Sequence, residues 1–238
     1  MKNLKCIIET RMGSKRLPGK SMKFIHEKYR LIDFVIQNAL NSKYLNKKNI
    51  FILTSSKKNN LSLVKYLARY KIKIICGSEL NVISRYKKFD DGKNYSILRL
   101  TGDNPLIDPL IIDKFIKKFF SIKIDYLTTR GMCHSKNWNV KSDYPKGISL
   151  EIFSSRKLFF DRKKFTISNY EFPTWFFFNK KSNARVKKFA SFGNIKKYLG
   201  NRSFTVDTIK DLNNIKKFIK KNNCIPGRNN FINFCNTH

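Results

Sequence analysis

The sequence predicts an α/β fold, an open, doubly wound and mostly parallel sheet. Three observations predict it. Short apolar runs recur along the first half, Leu4–Ile8, Ile50–Thr54, Ile72–Cys76 and Ile97–Thr101. They are apolar at consecutive positions, as in strands covered on both faces. Amphipathic helical periods alternate with them, which is the signature of a wound sheet rather than a sandwich.

Each element has its own warrant. Ile32, Val35, Ile36, Ala39 and Leu40 fall on one face of a helix between the first two strands. Leu61, Val64, Leu67 and Ala68 do so after the second. Asp108-Pro109 opens a third helix, because Asp caps well and Pro suits the first helical position. Ile111, Ile112, Phe115, Ile116, Phe119 and Phe120 then follow at helical spacing. The second half is less regular. Gly147–Phe153 and Arg202–Val206 read as strands, and Thr208 caps a helix carrying Leu212, Ile215, Phe218 and Ile219. Residues 130–146 read as a polar loop or lid. One domain is expected over 1–222, with sugar-binding or lid elements at about 130–180 and a tail over 223–238.

Composition narrows the function classes. The 238 residues suffice for one α/β domain. A formal charge of +34 raises nucleic acid, an anionic membrane surface or acidic substrates as partners. The lysines are spread along the chain, however, and no nucleic-acid-binding signature accompanies them. Heavy use of Lys, Asn, Ile and Phe is what AT-rich coding produces, so no specific nucleic acid is expected. Five cysteines without a C-x-x-C spacing indicate neither a disulfide framework nor a zinc site. No run approaches a membrane-spanning length, and the short apolar start is interrupted by Glu9, so a cytoplasmic location is expected.

Three segments can carry chemistry. Arg11-Met12-Gly13-Ser14-Lys15-Arg16-Leu17-Pro18-Gly19-Lys20 follows the first strand. Its glycines and serine leave backbone N–H groups open to an anion, and Arg11, Lys15, Arg16 and Lys20 add charge. It has neither the Walker A spacing nor G-x-G-x-x-G, and a basic surface turn would read the same. Gly102-Asp103 ends the fourth strand and puts a hard carboxylate beside that loop, suited to Mg²⁺ on phosphates or simply to the turn. Asp108 is best read as a helix cap. Val206-Asp207-Thr208 repeats the arrangement of strand, Asp and helix. Two such aspartates can share metal ions.

These segments, in order, resemble the spore-coat polysaccharide cytidylyltransferase-like family, relatives of the 3-deoxy-manno-octulosonate and acylneuraminate cytidylyltransferases. Ile7 to Lys20 resembles the family's opening. Gly77-Ser78-Glu79 with Val82 to Tyr86, Leu100 to Asp108, Tyr144 to Phe153 and Thr205 to Thr208 resemble later blocks. The resemblance implies a nucleotide-diphospho-sugar transferase-like fold. It implies CTP as donor, Mg²⁺, an acidic sugar as acceptor for surface polysaccharide, release of pyrophosphate and a homodimer. Arg11 and Lys20 match its triphosphate-binding positions, and Asp103 and Asp207 its metal ligands. Gly13, Ser14, Arg16, Ser84, Arg85, Gly102, Gly147 and Glu151 fall at its substrate-binding blocks. The chain departs from the pattern at Glu9 and Thr10, where Gln and Ala are usual, at Ser149 and at Phe172. Competing readings are a glycosyltransferase on the same fold, which a D-x-D motif would favour, and a charge-driven nucleic-acid or membrane-surface binder.

Overall fold

The computed structural model describes residues 3–130, 144–160, 165–179, 182–190 and 202–228. The strands are β1 (Leu4–Glu9), β2 (Ile50–Thr54), β3 (Lys73–Cys76), β4 (Ser96–Thr101), β5 (Tyr126–Thr128), β6 (Glu151–Ser154) and β7 (Val186–Lys188). They form one sheet in the order β3-β2-β1-β4-β6-β5-β7. Strands β1 to β4 run parallel to one another, β6 is antiparallel to both its neighbours, and β7 is parallel to β5. The sheet is therefore mixed, with a parallel left half.

Both faces of the parallel strands contribute to a core, as their predominantly apolar runs predict. Cys6, Ile8, Ile52, Leu98 and Leu100 join one core. Ile7, Leu53, Ile75 and Ile97 join the other. The first core is closed by α1 (Leu31–Leu40), α4 (Pro109–Ser121) and α7 (Ile209–Lys221). Helices α3 (Val82–Lys87) and α5 (Ser155–Phe160) help to cover the second, with Tyr86 and Leu158. Helix α2 (Leu61–Leu67) adds Leu63 and Leu67 to the first core, and α6 (Ile167–Glu171) lies against α3.

Four sequence readings are corrected here. The buried face of α2 carries Leu63, Leu67 and Tyr70, while Leu61 is 46% exposed and Ala68 is exposed too. A seven-residue helix offers too few turns for its apolar phase to be fixed by counting, and Tyr70 of the following turn decides it. Phe120 leaves the buried face of α4, because the helix ends at Ser121. Gly147 to Leu150 precede β6 as an irregular segment. Residues 202–206 are extended but form no strand. Their backbone bonds to loops instead, Phe204 N–H to the Lys146 carbonyl (2.7 Å) and Val206 N–H to that of Asp103 (2.9 Å).

The caps fall where the sequence puts them. Asp108 accepts from Leu110 N–H at the start of α4. Thr208 and Asp211 close a capping box on α7. Residues 223–228, read as the start of a tail, dock on the body: Cys224 is buried, and Gly227 N–H donates to Asn38 Oδ1 on α1 at 2.6 Å. Most of the expected lid, 131–143, and the end of the chain, 229–238, lie outside the described residues.

Candidate active site

The order of the strands reverses between β1 and β4: β2 and β3 lie to one side of β1, and β4 starts the other. In open α/β sheets the crevice beyond the carboxyl ends at such a reversal is where ligands bind. A cavity of about 490 Å³ lies there. Its lining includes Thr10, Arg11, Ser14, Lys15, Arg16, Lys20 and Ser21 from the loop after β1, Gly102 and Asp103 from the end of β4, and Asp207.

The loop after β1 is fixed at both ends. Met12 N–H donates to Asn60 Oδ1 (2.8 Å), and Gly19 N–H returns to the Met12 carbonyl (2.9 Å). Thr10 and Ser21 share a hydroxyl hydrogen bond of 2.6 Å, anchoring the short 3-10 turn Lys20–Met22. Lys20 is thereby aimed across the cavity floor. Its Nζ lies 3.0 Å from Asp103 Oδ2, 3.1 Å from Asp207 Oδ1 and 2.8 Å from the Val206 carbonyl.

Two aspartates separated by more than a hundred residues thus converge on one point. Asp103 arrives from β4. Asp207 arrives through the 202–207 segment, and Gly147 explains how that segment comes so close. Gly147 holds φ +96°, and a Cβ there would stand 2.3 Å from the Phe204 carbonyl carbon. Only glycine admits both the conformation and the approach. Gly102 has a similar constraint: a Cβ would meet Thr10 Cβ at 2.7 Å where β1 and β4 end together.

The aspartates do have cationic partners. Adjacent sequence offers none, so a shared external cation is the expectation from sequence. The structure instead brings Lys20 to both, and Arg16 (3.0 Å) and Lys146 (3.5 Å) to Asp207 Oδ2. Partial burial raises the Asp207 pKa. Lys20, with Arg16 and Lys146 behind it, outweighs that and holds the carboxyl below the usual carboxylate range.

The other expected residues divide. Arg11 lines the cavity and pairs with Glu79 at 2.9 Å across its mouth. Ser14, Arg16, Arg85 and Gly102 also line it. Arg85 is buried and donates to the carbonyls of Ser78 and Glu79, so it shapes the loop after β3. Ser84 is spent on the cap of α3, bonding Asn81 through both its amide and its hydroxyl. Gly13 and Gly147 act through the backbone, and neither they nor Ser84 is among the cavity's lining residues. Glu151 sits beneath the lining, buried, and accepts from Arg99 and Tyr126.

Sequence reasoning missed Arg99 and the role of Glu9. Arg99 interrupts an otherwise apolar strand, which was the available signal. It lies between Glu9 on β1 and Glu151 on β6, bonding Glu9 Oε2 at 2.6 Å. Tyr86 donates to Glu9 Oε1 at 2.6 Å. Glu9, acidic where the family usually has an amide, is thus neutralised from below. The Glu9–Arg99–Glu151 row gives the cavity a charged floor.

Cations of the β1 loop thus face paired carboxylates at the sheet's reversal point, which places groups suited to anions beside groups suited to hard cations. The cytidylyltransferase family model matches residues 5–225. The chain belongs to the cytidylyltransferase family. Among curated relatives, it is 35% identical over 129 residues to the spore coat polysaccharide biosynthesis protein SpsF of Bacillus subtilis (strain 168), covering 53% of each chain. It spans about half the length of the curated relatives it matches. A cytidylyltransferase structure from Leptospira borgpetersenii superposes with TM-score 0.78 at 23% identity, covering 100% of this chain and 95% of that one. A CMP:2-keto-3-deoxy-manno-octonic acid synthetase complexed with CTP superposes with TM-score 0.60 at 15% identity, covering 92% and 99%. Both likenesses establish the fold that cytidylyltransferases share with this chain.

Proposed function

We propose that this cytidylyltransferase-family chain transfers CMP from CTP to an acidic sugar and releases pyrophosphate, for surface-polysaccharide synthesis. The observation that carries the reading is the convergence of Asp103 and Asp207 on Lys20, beside the cationic loop after β1. Family membership supports the CTP donor, and the synthetase with the same fold supports an acidic acceptor.

A divalent metal fits the aspartate pair. The donors are hard oxygens, and the place between them already accommodates a cationic head group. Among the described residues no cluster of three or more metal-ligating side chains exists. That suits Mg²⁺, which takes one or two carboxylates and fills its shell with phosphate oxygens and water. Bound there, it would lower the pKa of an attacking hydroxyl and screen the triphosphate.

The chain's own residues do the rest. Arg11, Arg16 and Lys20 hold the β- and γ-phosphates and stabilise charge on the departing pyrophosphate. Ser14 and Lys15 of the same loop border those phosphates through their side chains, since the Ser14 N–H is given to the Met12 carbonyl (2.9 Å). Asp103 and Asp207 would hold the metal that neutralises the triphosphate, so that a sugar hydroxyl can attack the α-phosphorus in line as pyrophosphate leaves. Arg85 and the loop after β3 border the nucleoside end. Glu171 and Phe172, at the end of α6 beside α3, also line the cavity.

The test is pyrophosphate release with each of the four nucleoside triphosphates, Mg²⁺ and a panel of ulosonic acids. Release that needs CTP and one of those acids is expected. Equal rates with all four triphosphates, or none with any acid, overturn the reading. Light scattering tests the expected homodimer.

A further inference from the structure

We infer that Lys20 is a resident counter-ion for the aspartate pair, displaced when the metal and the triphosphate bind together. This rests on the reading of Asp103 and Asp207 as metal ligands. The ammonium is held by three oxygens, one from each aspartate and one from the Val206 carbonyl, at 2.8–3.1 Å. Its side chain is only 13% exposed, so solvent does little to screen it. A divalent ion shared by the two carboxylates needs their oxygens at ~2.1 Å. It would then stand inside the volume Lys20 Nζ occupies, with charge of the same sign. The two cations are mutually exclusive there.

Lys20 can leave because its anchor and its head are separate. The backbone is fixed by the 3-10 turn and the Thr10–Ser21 bond, while the four-carbon stem is flexible. Its way out leads into the cavity bordered by Arg11, Ser14, Lys15 and Arg16. A triphosphate there gives the displaced ammonium a new partner. Without it, the ammonium would be driven from three oxygens into a field of like charge from three other cations. Metal alone is therefore disfavoured, and metal with triphosphate is favoured. That is a positive coupling between the two ligands, and it acts equally in both directions. The same parking holds elsewhere: Arg16 rests on Asp207 and Arg11 on Glu79. Between turnovers, Lys20 also keeps two carboxylates together that would otherwise repel.

The experiment titrates Mn²⁺, as a paramagnetic probe, into nucleotide-free protein and reads bound metal by electron paramagnetic resonance. Lys20→Met is expected to bind Mn²⁺ at least tenfold more tightly than the parent chain, and Lys20→Gln to behave likewise if the Met variant folds poorly. Lys23→Met, which removes an exposed neighbouring charge, is expected to change affinity less than twofold. Adding Asp207→Asn to Lys20→Met should abolish the gain. Equal affinity in the parent, Lys20→Met and Lys20→Gln overturns the inference. If CTP-dependent pyrophosphate release persists in the parent chain, the proposed activity survives that failure. A gain that persists in the double variant overturns both the inference and the assignment of the metal to Asp207.

Discussion

Two residues test the site's electrostatics directly. Asp207→Asn removes the carboxylate on which Lys20, Arg16 and Lys146 converge. Turnover is expected to vanish. The free protein should lose ~2 kcal/mol, since a charge-assisted hydrogen bond is lost and the cations are left facing one another. Chemical denaturation checks this, and unchanged stability would mean these pairs contribute nothing in solution. Glu151 tests the floor beneath. Burial alone would raise its pKa, but Arg99, with the Tyr126 hydroxyl, brings it down from 4.5 to about 2. A group depressed in the folded state stabilises above its unfolded pKa and loses that contribution as pH falls toward the folded one. Stability should therefore drop between about pH 4.5 and 2, and Glu151→Gln should flatten that part of the profile while lowering stability at neutral pH. At this scale the sequence was informative where residues end neighbouring elements: Asp103, Asp207 and Lys20 do so, and the fold brings them together. The contacts of Glu151 and Ser84 were not legible, because a buried ion pair and a helix cap use the same residue types as a ligand site.

Among the elements, α2 distinguishes what periodicity can and cannot decide. Leu63 is fully buried and Leu61 is half exposed. Leu63→Ala should cost about 2–5 kcal/mol through a cavity in the core. Leu61→Ala should stay within about 0.5 kcal/mol. Equal losses from both, read from urea midpoints, would restore the face expected from sequence. Long elements with caps, such as α4 and α7, were legible over most of their length, since thirteen residues carry several turns of one phase, and only Phe120 near the end of α4 was misplaced. The 202–206 segment was misread because Phe204 and Val206 enter the core as strand residues would while the backbone bonds to loops, and alternation alone does not reveal whether a neighbouring strand exists to pair with. The far edge of the sheet, beyond β6, was illegible for a related reason. Strands β5 and β7 are three residues each, too short to carry a period.

For the whole molecule, the charge is the dominant property and the site a small part of it. At +34 the protein is expected to bind duplex DNA non-specifically at low salt, with affinity falling steeply as salt rises. Saturating CTP with Mg²⁺ should leave that binding nearly unchanged, because the cavity holds only a few of the 50 basic residues. Filter binding across a salt series measures both. Tight binding at physiological salt, insensitive to CTP, would promote the charge-driven reading. No helix among the described residues is long and apolar enough to cross a membrane.

The 202–207 segment joins the sheet's crevice without joining the sheet. Every strand among the described residues has been made once Lys188 has, yet the second carboxylate comes only with Asp207. On the ribosome, then, the described strands are made before the site's second carboxylate, and α7, which closes the first core, comes after both. A nascent chain in that interval has Lys20 and Asp103 but no grip for a metal that needs both carboxylates. Nucleotide cannot template the early steps of folding. It can only select, at the end, for chains whose last segment has threaded past Gly147.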